Sequence, residues 1–321
     1  MSTFSQFADK IINNIEKVVV GKRGAVKLLM VGALCDGHVL IEDVPGVAKT
    51  MLVNSLAISL GCKFTRIQCT PDLLPTDITG VTIFNQKTSE FVFHPGPIFS
   101  QLTLADEINR ATPRTQSALL EAMAEKQVTV DGVTRPMDKP FMVVATQNPV
   151  EHEGTFPLPE AQLDRFIMRI SVGYPSIEHE KAILEQQRES HPIHSLGKVS
   201  SAEELLAMQE AIKRVHVSGS IRDYLLKIVN ATRTHSDLAL GASPRGSLNL
   251  FKTAQAFAAL DGRDYVIPDD IKILAIPVLA HRLIVNPESR LKRRTPRNLL
   301  EEILQTVPAP VDRPDWRPRT P

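Results

Sequence analysis

The spacing of apolar residues divides the chain into two stretches with different rhythms. In the first, helical and strand-like patterns alternate. AVKLLMVGALCDGH (25–38) is apolar at steps of three and four and ends in a glycine-containing turn, which predicts a helix. HVLIEDV (38–44) is a short continuous apolar run, as a strand buried on both faces requires. MLVNSLAISLG (51–61) predicts a helix stopped by Gly61. KFTRIQ (63–68) and LTLAD (102–106) predict strands. PRTQSALLEAMAEK (113–126) predicts a helix with Pro113 in its first turn, and FMVVAT (141–146) and FIMRIS (166–171) two more buried strands. VTVDGVTR (128–135) alternates around Asp131-Gly132, a hairpin signal. Strands alternating with helices imply an α/β fold with a largely parallel sheet covered on both faces.

Residues 69–101 are too long for a plain connection between two such strands. Within them VTIF and EFVF flank the polar NQKTS, which predicts an inserted hairpin; the alternative is an unstructured loop. After GYPS (173–176) the pattern turns helical throughout: EHEKAILEQQRES, SAEELLAMQEAIKRV, SIRDYLLKIVNATRT, SLNLFKTAQAFAAL and IPDDIKILAIPVLAHRL. Ser200 and Ser201 with Glu204 form an expected capping box. The division this predicts is an α/β domain over 1–175, a helical domain over 176–307 and a loose proline-rich tail over 308–321.

Composition narrows the setting. The chain has 321 residues, 43% hydrophobic and 23% charged, within the soluble globular range. Its formal net charge of +1 gives no global attraction to nucleic acid or acidic membranes. Cys35, Cys62 and Cys69 lack metal-ligand spacing and read as buried apolar residues of a reducing compartment. MSTFSQFADKIINN lacks the basic and apolar segments of a signal peptide, and the longest apolar run, LLMVGALC (28–35), is too short to span a bilayer. A cytoplasmic protein without a membrane span is expected.

The chemistry concentrates at the ends of the predicted strands. IEDVPGVAKT (41–50) has the layout of a phosphate-binding loop, with Asp43 and Ala48 where the usual G-x-x-x-x-G-K-[ST] pattern has glycines. Lys49 would bring a cation to the β and γ phosphates and Thr50 a hydroxyl to Mg²⁺, at a helix start that favours anions. Val44, Pro45, Gly46, Val47, Ala48 and Met51 complete the expected nucleotide-binding set around them. Alanine in place of glycine costs little at negative φ and about 1–2 kcal/mol in the left-handed region. In LTLADEINR (102–110) a strand delivers Asp106 and Glu107 together. Carboxylates at a buried strand end need a cationic partner, which Mg²⁺ would supply. Asp106 would hold the ion directly or through its waters, and Glu107 would deprotonate the attacking water. A helix-capping acidic pair is the alternative. In ATQNP (145–149), Asn148 follows another buried strand and, beside the other two elements, would bind the γ-phosphate and the attacking water; without them it reads as a turn residue before Pro149.

The ordered set EDVPGVAKT, LLPTDITG, FHPGPIF, LTLADEINRA, TQSALLEAMAEKQVTVDG, VVATQNPVEHEGTFPLPEAQLDRF and GASPRG resembles the MoxR family of AAA+ ATPases, over about residues 10–305. The resemblance implies a P-loop AAA+ core followed by an all-α lid, with ATP and Mg²⁺ as cofactors, and makes Asp43 and Ala48 a family variant. It places the hairpin at 78–95 with the helix-2-insert group. It assigns Arg165 in PEAQLDRF as an arginine finger acting on a neighbouring subunit. It assigns Arg245 in GASPRG as the sensor-2 arginine, reaching from the lid toward the phosphates. Supplied arginines are worth roughly 10³–10⁵ in phosphoryl-transfer rate. From the residues alone, the favoured readings are that Arg165 pairs with Asp164 or Glu160 and that Arg245 caps a helix. Val20 and Gly21 in VVVGK match the segment that lies against adenine, and Arg110 and Arg114 are further candidates to face a neighbour.

The expected activity is ATP hydrolysis in a self-assembled ring, expected as a hexamer, coupled to remodelling or maturation of a partner protein. Such partners often bear von Willebrand factor A domains. A DNA-directed motor is the second reading, disfavoured because Lys+Arg 37 nearly equals Asp+Glu 36 and aromatics are only 5%. An ATP-gated scaffold with little turnover is the third, disfavoured by Glu107 and Asn148.

Overall fold

The computed structural model describes residues 3–149, 154–186 and 192–310. From the amino end come α1 (Thr3–Glu16), α2 (Arg23–Leu34), β1 (His38–Glu42), α3 (Lys49–Leu60), β2 (Phe64–Gln68) and α4 (Pro75–Thr79). The expected insertion is a hairpin, β3 (Gly80–Asn85) paired antiparallel with β4 (Glu90–Pro95). Then follow β5 (Leu102–Asp106), α5 (Pro113–Glu125), the hairpin β6 (Gln127–Val130) and β7 (Val133–Pro136), β8 (Met142–Gln147), α6 (Glu160–Leu163) and β9 (Phe166–Ile170).

Five strands form one parallel sheet in the order β2-β5-β8-β1-β9. The interior β5 and β8 are buried along almost their whole length because both of their faces are covered; β2, at an edge, alternates and turns Arg66 and Gln68 outward. Successive residues serve opposite faces. Val39 and Ile41 join a core shared with α1, α2 and α3, whereas Leu40 joins Ala105, Val143 and the α5 residues Leu119, Leu120 and Met123. The elements end where their residues dictate. Gly61 closes α3 at φ 63°, and the Thr112 side chain accepts from Thr115 N to open α5 ahead of Pro113.

The second half is helical: α7 (Ile177–Gln186), α8 (Ala202–Ala211), α9 (Gly219–Thr234), β10 (Leu238–Leu240), α10 (Pro244–Leu260), α11 (Pro268–Leu279), β11 (Ile284–Val285), α12 (Pro287–Leu291) and α13 (Pro296–Thr306). The expected cap forms at Ser201, whose Oγ accepts from Glu204 N at 3.2 Å. Glu204 uses its carboxylate elsewhere, on Ser200 Oγ at 2.8 Å and on Lys10 of α1 at 2.6 Å. Apolar packing is continuous from α1 and α2 into α10 and α11, so no break in the core marks residue 176. Val307 and Ala309 still pack on that core, and residues 311–321 of the expected tail lie outside the described residues. No described helix is long and apolar enough to cross a membrane. The cysteines depart from expectation: only Cys69 is buried, while Cys35 and Cys62 sit half-buried at the rim of the core. All three are free thiols; burial raises Cys35 and Cys69 to about 12 and Cys62 to about 11.

Candidate active site

Parallel register brings four strand ends to one level. Gln68 pairs with Asp106, Ala105 with Ala145, and Glu42 with Gln147. The residues just beyond these ends, Asp43, Glu107 and Asn148, therefore line one edge of the sheet.

The loop from Asp43 to Ala48 joins β1 to α3 there. Gly46 takes φ 82° and has open space where a Cβ would stand. Ala48 takes φ 57°, ψ 28°, the costlier of the two cases for alanine, about 1–2 kcal/mol above glycine. Asp43 has a structural use. Its Oδ2 accepts from Ser171 Oγ at 2.8 Å, Val172 N at 2.7 Å and Gly173 N at 2.6 Å, and its Oδ1 accepts from Val44 N at 3.0 Å. Burial alone would raise this carboxyl; the four hydrogen bonds reverse that and hold it below its ordinary value. The loop is thus pinned to the end of β9. Lys49 Nζ lies back on Asp43 O at 2.8 Å. Val47 is buried beneath the loop, whereas Val44, Thr50 and Met51 are half-buried and Pro45 is exposed.

Gly21 reaches the same edge. Lys22 Nζ donates to Gly173 O at 2.8 Å and Tyr174 O at 2.7 Å, and Gly173 is one of the residues whose amides grip Asp43. Gly21 has φ 70°, and the His179 ring lies against it so closely that a Cβ would come within 2.1 Å of Nδ1. Val20 beside it is half-buried.

Asp106 is buried, and its Oδ1 accepts from Thr146 Oγ1 at 2.6 Å. Its Oδ2 takes Arg66 Nη2 at 2.7 Å and Thr50 Oγ1 at 3.5 Å. Glu107 is held at φ 56°, ψ 50°, a conformation rare for a non-glycine residue, by its N–H donating to Thr146 Oγ1 at 2.8 Å. Its Oε2 accepts from Gln68 Nε2 and Arg110 Nη1, both at 3.1 Å. Arg110 is thereby engaged within its own chain, and Arg114 is exposed on α5. Asn148 is buried. Arg66, Gln68 and Thr146 were not read from the sequence. The signal for the first two was the polar i, i+2 alternation of FTRIQ, and for Thr146 its place directly before Gln147-Asn148.

The two arginines lie elsewhere. Phe166 pairs with His38, so Arg165 is level with Gly37, at the other end of β1 from Asp43. The separation, from the level of residue 37 to residue 43, is six residue steps, roughly 20 Å at about 3.3 Å per residue. Arg165 Nη1 donates to Leu120 O. Asp164 takes two other arginines: Arg245 Nη1 at 3.3 Å and the buried Arg282 Nε at 2.8 Å. Arg245, expected to reach toward the phosphates, is therefore brought together with Arg165 and not with Lys49. Both line a cleft of about 330 Å³ with Lys126 and Lys252. Nearby, burial lowers His38 to about 4, so it is neutral at pH 7, accepting from Val143 N at 3.0 Å on Nδ1 and contacting Met123 O at 2.9 Å through Nε2.

The loop fits a nucleoside triphosphate with Mg²⁺. It has open space over Gly46, a lysine and a threonine at a twelve-residue helix's start, and a buried carboxylate within 3.5 Å of that threonine.

Comparison with known proteins agrees. Residues 38–168 match the model of the ATPase family associated with various cellular activities (AAA), and residues 230–303 match the AAA lid domain. Protein YeaC of Bacillus subtilis is 52% identical over 304 residues, 95% of either chain. The protein named Chaperone MoxR1 of Mycobacterium tuberculosis is 43% identical over 94% of this chain and 82% of its own. A solved structure from Cytophaga hutchinsonii superposes with a TM-score of 0.89 at 42% identity, covering 96% of both chains. The parallel core, the helical lid and these likenesses along nearly the whole length have one reading: the chain belongs to the MoxR family of AAA+ ATPases.

Proposed function

We propose that this chain hydrolyses ATP with Mg²⁺ in an oligomeric ring in the cytoplasm and uses the turnover to remodel or mature partner proteins. The observation that carries the reading is the split of the phosphate chemistry between two edges of one sheet. Lys49, Thr50, Asp106, Glu107 and Asn148 sit at one edge, while Arg165 and Arg245 sit a strand's length away at the other. Two copies placed edge to edge complete what one lacks.

The bound nucleotide and its metal ion supply the scissile phosphoanhydride and the charge that Thr50 and Asp106 hold. Lys49 neutralises phosphate oxygens, and the loop amides at the start of α3 cradle them. Glu107 takes the proton of the attacking water, oriented by Gln68 and Arg110; Asn148 positions that water. Val20 and Gly21 bound the base. Arg165 and Arg245 stabilise the charge of the transferred phosphoryl on the neighbouring copy. The name of the mycobacterial relative supports a protein client, as does the balance of Lys+Arg 37 against Asp+Glu 36, which leaves no excess of basic charge for a nucleic-acid track. A partner with a von Willebrand factor A domain belongs to the same proposal.

Glu107→Gln tests it. The change removes the base and keeps the shape. ATP affinity by titration calorimetry stays near wild type, turnover falls by about 10²-fold or more, and the trapped complex retains client protein. A fall in turnover of less than about tenfold would remove Glu107 from the chemistry.

A further inference from the structure

Asp164, the residue before Arg165, is gripped by the lid. Arg282, from the turn after α11, is 6% exposed. Its Nε meets Asp164 Oδ1 at 2.8 Å, its Nη2 donates to Phe166 O at 2.6 Å, and its Nη1 donates to Ile167 O at 3.4 Å and also to Val278 O. The guanidinium therefore holds both chain neighbours of Arg165, one by its side chain and one by its carbonyl. The second carboxylate oxygen of Asp164 holds Arg245 at 3.3 Å. Two lid residues 37 positions apart (282 minus 245) thus converge on one acid. Each of these is a charge-assisted contact, stronger and more directional than a neutral hydrogen bond. The buried guanidinium beside neutral His281 accepts no other fit without an uncompensated charge.

We infer that Asp164 and Arg282 are positioning residues: they lock the lid to the edge that bears Arg165, so that Arg165 and Arg245 are presented to a neighbouring copy as one rigid pair. The inference rests on the proposed service of these arginines to a neighbour. It goes further, assigning roles to two residues that touch neither nucleotide nor metal. An arginine side chain samples many rotamers, so a free one is poorly placed. Fixing the backbone on both sides of Arg165, and the head of Arg245, removes part of that freedom before the subunits meet.

The test uses full-length Arg282→Met and Asp164→Asn, each alone and mixed with Lys49→Ala or with Arg165→Ala from dissociated protein. The expected ATP affinity of each variant alone is within about threefold of wild type, because the loop edge is untouched; turnover falls by about 10–10²-fold, the range of an ångström's misplacement. Mixing with Lys49→Ala restores activity, since the variant supplies the loop and its partner supplies intact arginines. Mixing with Arg165→Ala restores none, since both partners are deficient on the same side. A merely structural defect would also weaken the loop side and abolish the first rescue. Wild-type turnover in both variants, or no rescue by Lys49→Ala, overturns the clamp. The control is Arg165→Ala mixed with Lys49→Ala. If that pair also fails, the neighbour reading itself falls; if it recovers and the Arg282 and Asp164 mixtures do not, only the clamp falls. Where Arg282→Met does not fold, Asp164→Asn, which keeps the shape, decides by the same readings.

Discussion

Asp43 stands where a phosphate-binding loop ordinarily has its first glycine, and its carboxylate shows what the substitution does. It gathers Ser171, Val172 and Gly173 and fixes the loop to β9. Asp43→Ala leaves three backbone donors, of Val44, Val172 and Gly173, without their acceptor and costs about 2–4 kcal/mol of stability, read as a drop in urea midpoint. A loss below about 0.5 kcal/mol, the range of ordinary surface changes, would show the pin to be idle. His38 gives the pH dependence. Burial holds its folded-state value at about 4, below the ordinary histidine value of 6.5. The folded state then binds fewer protons than the unfolded one between those values. Stability is fully present above pH 6.5 and is lost as pH falls toward 4. His281, likewise buried and lowered, adds to the same slope. In His38→Gln the urea midpoint declines less steeply over that window; an unchanged slope would mean that His38 does not titrate on unfolding. Lys49, Thr50, Asp106, Glu107 and Asn148 were legible in the sequence because each follows a strand that its own apolar run announces. Arg66, Gln68 and Thr146 were not, because their role depends on which strands are neighbours, and no local pattern states that.

Among the elements, α2, α3, α5, the two hairpins and the five sheet strands follow directly from hydrophobic period and turn residues. α1, β10 and β11 do not. α1 is amphipathic, with Phe7, Ile11 and Ile15 buried against residues distant in the sequence. β10 and β11, of three and two residues, carry no period and pair only because α9 and the turn after α11 bring distant segments together. The lid's packing decides where Arg245 points, so its company with Arg165 was invisible from GASPRG. Helix ends were better specified. Gly61 at φ 63° closes α3, and a Cβ there would stand 3.4 Å from Ser200 O. Gly61→Ala should cost about 1 kcal/mol, the left-handed penalty less the entropy lost from the unfolded chain. It should leave turnover per folded molecule unchanged, since α3 meets the loop at its other end. A stabilised variant would contradict the cap.

In the molecule as a whole, the same parallel sheet that aligns the loop, the acids and Asn148 at one edge carries Arg165 to the opposite edge. The continuous core from α1 to α11 keeps the lid, with Arg245 and Arg282, on that second edge. No internal motion of a side chain spans a strand's length, so within one copy the loop and these two arginines stay apart; the proposed function makes them two half-sites completed by a neighbour. The hairpin β3–β4 carries Phe84 and Phe91, their rings paired 5.2 Å apart and largely exposed. The most direct measurement follows specific ATPase activity through a dilution series, with the assembly state recorded at each concentration by sedimentation. Activity that falls with dilution, in step with loss of the assembly and toward zero in the monomer, is the predicted result. Specific activity that stays constant down to a demonstrated monomer would contradict it, and would return Arg165 and Arg245 to roles within their own chain.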